Sequence, residues 1–185
     1  MHAKRQVLFV QGGGKGVHDD WDSKLVESLR KELGQGYEIH YPRMPNEADP
    51  KYASWKNALK KDLEELPEGA ILVAHSVGGT ILLKVLTEHR PARTLGGLFV
   101  IAAPFVGEGG WSSDDLHFPT DLGEHLPQGV PVHFYQGSED DVAPAHIDLY
   151  ARAVPQAHAH RLAGRDHQLN NDLKEVAKAI QALAE

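Results

Sequence analysis

Short apolar runs alternate along the chain with longer segments in which apolar residues recur every three or four positions. The apolar runs predict six strands, near residues 5–11, 37–42, 70–75, 96–102, 130–136 and 157–162. The periodic segments predict five helices, near residues 19–34, 50–66, 77–89, 143–153 and 168–184. Leu25, Leu29 and Leu33 mark one apolar face of the first helix. This alternation predicts an α/β protein of three layers, with a mostly parallel sheet between helices.

The segment 103–128 departs from this alternation and is too long for a simple connection. It contains Phe105, Trp111 and Phe118, with glycines beside the tryptophan. We expect either a short cap in which these aromatic side chains form an apolar acyl pocket, or a loop whose aromatic residues pack against the sheet. Residues 1–185 as a whole are expected to form a single domain, because the chain is too short for two ordinary ones.

The apolar run 71–75 leads directly into Ser76. A serine in a sharp turn between a strand and a helix, with small residues two positions before and after it, is typical of a nucleophile elbow. Ala74 and Gly78 occupy those positions, and alanine replaces the more usual glycine at the first. An alternative is that Ser76 only caps the helix that begins at Val77. His75 is expected to pack or to form hydrogen bonds beneath the site.

A nucleophile elbow requires an acid and then a histidine farther along the chain, each in a loop that follows a strand. Asp140 lies in the acidic turn after the fifth predicted strand, and His167 follows the sixth. The order Ser76, Asp140, His167 therefore predicts a catalytic triad. Asp141 and Glu139 remain alternative acids, since an error of one residue would exchange them. Carboxylates at the start of a helix also interact favourably with its dipole, which is a simpler role for Asp141.

These three residue types together suit acyl transfer to water. A serine hydroxyl is a poor nucleophile at neutral pH, so an imidazole must accept its proton during attack and return it to the leaving group. A buried carboxylate fixes the imidazole tautomer and stabilises the imidazolium that forms. The motif therefore predicts a serine hydrolase that forms an acyl-enzyme on Ser76.

Glycines follow the first predicted strand, where such a hydrolase needs an amide donor for the oxyanion. Gly13 is the expected donor, with Gly12 beside it as a further contact to substrate, and Val77 is expected to supply the second amide. A dinucleotide fingerprint would need glycine in place of Val17, and a P-loop would need serine or threonine in place of Gly16. The sequence therefore favours an oxyanion loop over a phosphate site.

Composition limits the classes of function. The chain has 185 residues, 41% of them hydrophobic and 24% charged, and it lacks cysteine, which excludes disulfides, thiol catalysis and cysteine zinc sites. A net charge of -7 argues against a nucleic-acid partner. No apolar run is long enough for a membrane helix and no secretory signal is recognised, so a cytoplasmic location without membrane insertion is expected.

Twelve histidines raise the question of a metal site. His158 and His160 alternate on a predicted edge strand and share a face, but no third ligand is evident, and a solvated strand face is favoured. His18 and His117 are less suited than His167 to act as the base, because neither follows the acid in the chain. We expect no metal and no cofactor.

Taken together, these motifs resemble those of the α/β-hydrolase superfamily. The matching segments are residues 11–13, 74–78, 137–144 and 164–167. The length of the chain and the lack of a large insertion resemble the compact serine hydrolases that include the retinoblastoma-binding member and its bacterial relatives. The resemblance implies six strands in the order 2-1-3-4-5-6, without the usual first hairpin, and it implies acyl transfer to water more strongly than any one substrate.

The expected function is a carboxylesterase-like activity (EC 3.1) on a small or medium acyl ester, thioester or amide. An aminopeptidase-like activity would need an anchor for the substrate amine, for which Asp114, Asp115 and Asp121 are candidates if they are not simply a solvated loop face. An alternative from another class is a hydrolase-fold binding protein that acts through the surface of residues 105–118 without significant turnover.

Overall fold

The computed structural model describes residues 3–183, in which six strands and five α-helices alternate. The strands are β1 (Arg5–Val10), β2 (Tyr37–His40), β3 (Ile71–His75), β4 (Gly97–Ile101), β5 (Val132–Gly137) and β6 (His158–Leu162). The helices are α1 (Asp22–Leu33), α2 (Tyr52–Glu65), α3 (Val77–Glu88), α4 (His146–Ala153) and α5 (Lys174–Gln181). All neighbouring strands pair in parallel in the order β2-β1-β3-β4-β5-β6, which confirms the predicted fold class and strand order.

The sheet separates two apolar cores. Leu8 and Val10 of β1 face the core formed with α2, α3 and α4, whereas Val7 and Phe9 face the core formed with α1 and α5. The central strands β3 and β4 are buried at every position, as expected for a parallel sheet covered by helices on both faces. The predicted apolar face of the first helix, residues 25, 29 and 33, is buried in the second core.

Four helices begin later than the periodicity predicts, α2 by two residues and three others by three residues or more. The observed first residues are Asp22 for α1, His146 for α4 and Lys174 for α5, rather than 19, 143 and 168. A π-helical turn, Val17–Trp21, precedes α1. Ala145 has a positive φ of 60°, so a continuous helix cannot include it and α4 begins at the next residue. Residues 169–171 all have positive φ and precede α5 in the same way. The predicted end of the last helix at 184 lies outside the described residues.

Residues 103–128 form an irregular segment between β4 and β5. It contains a bridge between Val106 and Trp111 and a short 3-10 helix, Leu122–His125. Leu116 and Leu126 are buried and attach the segment to the core that contains α3. None of the described helices is both long and apolar enough to cross a bilayer.

The carboxyl ends of β1, β3, β5 and β6 lie at one edge of the sheet, because all strands run in parallel. The glycine loop, Ser76, Asp140 and His167 follow these four ends in turn. Open α/β sheets bind their ligands at this edge. The topology therefore brings the candidate residues into one region.

Candidate active site

Ser76 lies in a sharp turn between β3 and α3. Its backbone has φ 55° and ψ -133°, a sparsely populated conformation for a residue with a side chain, which costs on the order of 1–3 kcal/mol. A Cβ atom at Gly78 would lie 1.9 Å from the carbonyl oxygen of Gln11, so a side chain is sterically excluded there. Ala74 is fully buried in the core. The turn thus has the geometry expected of a nucleophile elbow, and alanine is accommodated at its first small position.

Ser76, His167 and Asp140 form one hydrogen-bonded chain. The Oγ atom of Ser76 lies 2.8 Å from Nε2 of His167, and Nδ1 of His167 lies 2.9 Å from Oδ2 of Asp140. Ser76 and Asp140 are buried, whereas His167 is partly exposed. The imidazole therefore lies between a serine hydroxyl and a carboxylate, which is the arrangement that proton transfer from the serine requires.

The carboxylate of Asp140 is held by four hydrogen bonds. Besides the contact with His167, Oδ2 accepts a hydrogen bond from Nε2 of Gln136 at 3.0 Å. Oδ1 accepts hydrogen bonds from the amides of Val142 and Ala143, at 2.9 and 3.0 Å. Burial alone would raise the pKa of Asp140, but the hydrogen bonds from His167, Ala143 and Gln136 outweigh it and hold that pKa well below its usual range. The carboxylate therefore stays charged.

The two alternative acids lie outside this network. Glu139 and Asp141 are exposed to solvent on either side of the buried Asp140. The two other histidines considered as bases also lie elsewhere. The ring of His18 stacks on Tyr41 at 3.9 Å, and His117 is exposed. Of the candidates weighed from the sequence, the structure brings together only Asp140 and His167 with the serine.

Two amides next to Ser76 suit an oxyanion. Val77 begins α3, and the amides of a first helical turn have no partner within the helix. A Cβ atom at Gly13 would lie 3.5 Å from Cβ of Val77, so the glycine loop is directly beside the start of α3. Across residues 3–183, no hydrogen bond engages the amide of Gly13. Gly13 and Val77 thus lie side by side next to the turn that holds Ser76.

The residues around Gly13 are held in place by side chains that the sequence analysis does not identify: Gln11 and Asp22, which are buried, and Glu47, which is partly exposed. The amide of Gly12 donates a hydrogen bond to Oδ2 of Asp22 at 2.7 Å, and its carbonyl accepts one from Nε2 of Gln11 at 3.0 Å. The carboxylate of Glu47 accepts a hydrogen bond from the amide of Gly16 at 2.8 Å. Gly12 is therefore a structural part of the loop, with its amide already engaged, rather than a donor to substrate.

A cavity of about 240 Å³ opens beside Val77. Its apolar lining includes Ile81 of α3 and Leu116 and Trp111 of the segment 103–128. Asp115 also lines it, but its carboxylate already accepts hydrogen bonds from the Ser113 hydroxyl and the Tyr52 amide. The other two candidate amine anchors, at positions 114 and 121, lie outside the lining of this cavity. Apolar contacts therefore dominate this part of the site.

The three aromatic residues of the segment 103–128 have different positions. Trp111 lines the cavity beside Val77 and is 40% exposed. Phe105 and Phe118 pack against each other, with ring centroids 5.5 Å apart, and both contact Tyr150 of α4. They line a separate depression of about 690 Å³ next to α4. The expected pocket of three aromatic residues is therefore not formed, because two of them attach the segment to α4.

Three histidines stack on the outer strands of the sheet. His158 and His160 of β6 share a face, as the sequence predicts. The ring of His133, on the neighbouring strand β5, stacks with both of them. The rings of His133 and His160 are almost parallel, at 11°, and burial lowers the pKa of His133 to about 4, helped by its histidine neighbours. Among the described residues, no group of three or more side chains is placed to hold a metal ion.

Comparison with known proteins adds an independent observation. A family described as "Serine hydrolase" matches residues 7–117, more than half of the chain, including the glycine loop and the elbow. This chain belongs to that family. YdeN of Bacillus subtilis (strain 168) is 28% identical over 98 residues, which are 53% of this chain and 50% of that protein. The chain thus aligns in sequence with half the length of this curated relative.

The solved structures extend the likeness to the whole fold. The crystal structure of the ydeN gene product from B. subtilis covers 97% of this chain, and the chain covers 98% of it, at a TM-score of 0.68 and 17% identity. CarC, a serine hydrolase involved in carbazole degradation, has a TM-score of 0.72 at 14% identity, covering 97% and 91%. Esterase PE8 has a TM-score of 0.70 at 17% identity, covering 98% and 94%. At these identities the likeness establishes the α/β-hydrolase fold.

Proposed function

We propose that this serine hydrolase cleaves small or medium acyl esters through an acyl-enzyme on Ser76. The observation that carries the proposal is the 2.8 Å contact between Oγ of Ser76 and Nε2 of His167, in a turn with positive φ. A serine that only caps a helix would use its hydroxyl oxygen to accept a hydrogen bond from a helix amide. The side chain of Ser76 makes no such cap, which supports a chemical role instead.

In the proposed mechanism, His167 accepts the proton of Ser76 as Oγ attacks the acyl carbonyl. The amides of Gly13 and Val77 stabilise the oxyanion that develops, and removing one such donor generally costs on the order of 10²–10³-fold in kcat. His167 then returns the proton to the leaving alkoxide, which leaves the acyl group on Oγ. A water molecule then attacks the acyl carbonyl while His167 accepts one of its protons. His167 returns that proton to Oγ of Ser76 as the bond between Oγ and the acyl carbon breaks and the carboxylic acid leaves. Asp140 orients the imidazole and stabilises its charged form throughout.

The acyl group is proposed to occupy the cavity beside Val77, which adjoins the proposed oxyanion donors. Its volume of about 240 Å³ lies below the range of about 300–1,000 Å³ that is usual for drug-sized ligands. Short and medium acyl chains therefore fit better than long ones. Residues 103–128 act as a short cap that supplies one wall of this cavity. An ester is favoured over an amine-bearing peptide, because the wall is mainly apolar and Asp115 is already hydrogen-bonded.

The test combines labelling by a fluorophosphonate probe with hydrolysis of p-nitrophenyl acetate, butyrate, hexanoate, octanoate and laurate. We expect stoichiometric labelling of the wild type, loss of labelling and turnover in Ser76→Ala, and a decline in kcat/KM at laurate. Ser54→Ala, in α2 outside the cavity lining, is the control for loss of a serine hydroxyl and should match the wild type. A wild type that neither reacts with the probe nor hydrolyses any of these esters contradicts the proposal, and partner binding then becomes the better account.

A further inference from the structure

A second carboxylate–imidazole pair lies beneath the candidate triad. Asp22, at the start of α1, and His75, at the end of β3, are almost completely buried, with 0% and 2% of their side chains exposed. Oδ2 of Asp22 lies 3.0 Å from Nδ1 of His75. The mechanism proposed above uses neither side chain.

The pair connects the two loops that flank Ser76. Oδ2 of Asp22 also accepts the hydrogen bond from the amide of Gly12, at 2.7 Å. On the other side, Nε2 of His75 lies 3.0 Å from the backbone carbonyl oxygen of His167, and the two imidazole rings are 5.0 Å apart. A continuous chain of hydrogen bonds thus runs from the glycine loop, through Asp22 and His75, to the backbone of the proposed base.

Both ring nitrogens of His75 face hydrogen-bond acceptors, a carboxylate and a carbonyl. A neutral imidazole carries a proton on one nitrogen only, so both contacts are satisfied when the ring is an imidazolium. Burial by itself would lower the pKa of His75, but the charge of Asp22 and the hydrogen bonds to Asp22 and His167 outweigh it and raise that pKa. The pKa of Asp22 is lowered in turn, because the charge of His75 and its hydrogen bonds outweigh burial. The two side chains therefore form a buried ion pair.

We propose that Asp22 and His75 are positioning residues that fix the oxyanion loop and the base relative to Ser76. This inference rests on the proposed function. Asp22 holds the amide of Gly12, so the next amide, that of Gly13, keeps its direction towards the oxyanion. His75 holds the backbone of His167, so the imidazole keeps its distance from Oγ. Glycine residues are otherwise free to adopt many backbone conformations, and a loop of three needs such an anchor.

A general contribution to stability is a poorer explanation of the pair. Desolvating two charges offsets most of their attraction, so a buried ion pair stabilises a fold little more than well-packed apolar side chains do. Its hydrogen bonds are directional, however, and they fix geometry at the two places where the reaction needs it. A displacement of about 1 Å in such a site costs on the order of 100-fold in rate.

The test uses the full chain with Asp22→Asn, His75→Gln and the double substitution. Asp20→Asn, an exposed carboxylate two residues away, is the matched control. We measure kcat and KM for p-nitrophenyl butyrate, the second-order rate of fluorophosphonate labelling and the thermal midpoint. Each single substitution should lower kcat and the labelling rate by on the order of 100-fold, with KM little changed. The two losses should not multiply in the double variant, because the residues act as a unit.

The double variant separates positioning from stability. It removes both buried charges, so its thermal midpoint should recover relative to Asp22→Asn, while kcat stays low. The inference would be overturned if kcat fell only in proportion to the folded fraction in every variant. It would also be overturned if the loss of kcat in the double variant equalled the product of the two single losses. In the wild type, nitrogen NMR should show protons on both ring nitrogens of His75 at about pH 6.5, where an ordinary histidine is only half protonated. A neutral ring at that pH would overturn it as well.

These outcomes also separate the inference from the proposed function. Wild-type protein that is labelled at Ser76, with Asp22 and His75 variants labelled at the same rate per folded molecule, refutes the positioning role alone. Wild-type protein that is not labelled and hydrolyses no ester refutes the proposed function, and the positioning role fails with it.

Discussion

Replacing Asp140 by asparagine tests the proposed triad most directly, because the structure specifies how the amide would fail. Oδ1 of Asp140 accepts two backbone amides, so the oxygen of asparagine is expected to stay there. The new amide nitrogen then faces Nδ1 of His167 and Nε2 of Gln136, which in the native protein both donate to Oδ2. To avoid two opposed donors, His167 must move its proton from Nδ1 to Nε2.

That tautomer presents a proton, not a lone pair, to Oγ of Ser76, so the imidazole can no longer act as the base. In serine proteases the same change of acid to amide lowers kcat by about 10⁴-fold, which corresponds to about 5 kcal/mol of transition-state stabilisation. We expect a loss of this order in kcat for p-nitrophenyl butyrate. The volume of the side chain is unchanged, so KM should change little.

The matched control is Asp141→Asn, which removes the same charge one residue away on an exposed side chain. Its kcat should stay within about twofold of the wild type, since substitutions at exposed positions rarely perturb a structure by more than about 0.5 kcal/mol. Steady-state kinetics and circular dichroism of both variants decide the matter. If Asp140→Asn keeps more than a tenth of the wild-type kcat, or Asp141→Asn loses as much as Asp140→Asn, the assignment of the acid is wrong.

Three further predictions follow from the same region. Gly78→Ala should lower the free energy of unfolding, measured in urea, by about 1–3 kcal/mol or more, because the Cβ of the alanine would clash with the backbone carbonyl of Gln11. Gly36→Ala is the control, and it should leave that free energy unchanged because a Cβ atom there meets no other atom within 4 Å. The folded-state pKa of Asp140 is depressed, so the stability it contributes is present above its unfolded pKa of about 3.9 and is lost as pH falls through the folded value. As the pH is lowered below about 5, the free energy of unfolding measured in urea should therefore fall more steeply for the wild type than for Asp140→Asn. Equal dependence of that free energy on pH in the two proteins would contradict this. Trp111→Ala should open the cavity wall and shift the preferred p-nitrophenyl ester towards longer chains, whereas Trp21→Ala, at an exposed tryptophan elsewhere, should leave the preference unchanged.

The fold and the proposed triad follow from the sequence because each depends on local pattern and chain order. Continuous apolar runs identify the buried strands β3 and β4, and parallel strands necessarily end at one edge of the sheet. Ser76, Asp140 and His167 each lie in the segment that follows the end of a strand, so the parallel topology brings them to the same edge of the sheet. The identity of the acid is the exception. The sequence does not distinguish Asp140 from its acidic neighbours Glu139 and Asp141, because only the folded turn shows which carboxylate is buried.

The start of the last helix was predicted too early, although the sequence contained a signal. Asn170 and Asn171 belong to the residue type that, after glycine, tolerates positive φ most readily, and both adopt it. The carboxylate of Asp172 then accepts a hydrogen bond from the amide of Lys174 at 3.1 Å, at the first residue of α5. Leu169 fits the helical period of the apolar residues that follow it, and it is buried in the core as they are. The period alone therefore predicts that the helix already includes Leu169.

The partners of the glycine loop were not predictable by the same means. Asp22 begins a helix, where a carboxylate is ordinarily explained by the helix dipole. In the fold it is buried and contacts His75, which lies 53 positions away, and no period or motif joins the two residues. The sequence therefore identifies the proposed triad, because each of its residues follows its own strand. It does not identify the contact between Asp22 and His75, the buried residues that connect the loops of the site. The amide of Gly12 donates a hydrogen bond to Asp22, and the ring of His75 contacts the carbonyl of His167, so the pair reaches the loops on both sides of Ser76. We therefore infer that the spacing of the proposed reacting groups depends on residues that the proposed mechanism does not use.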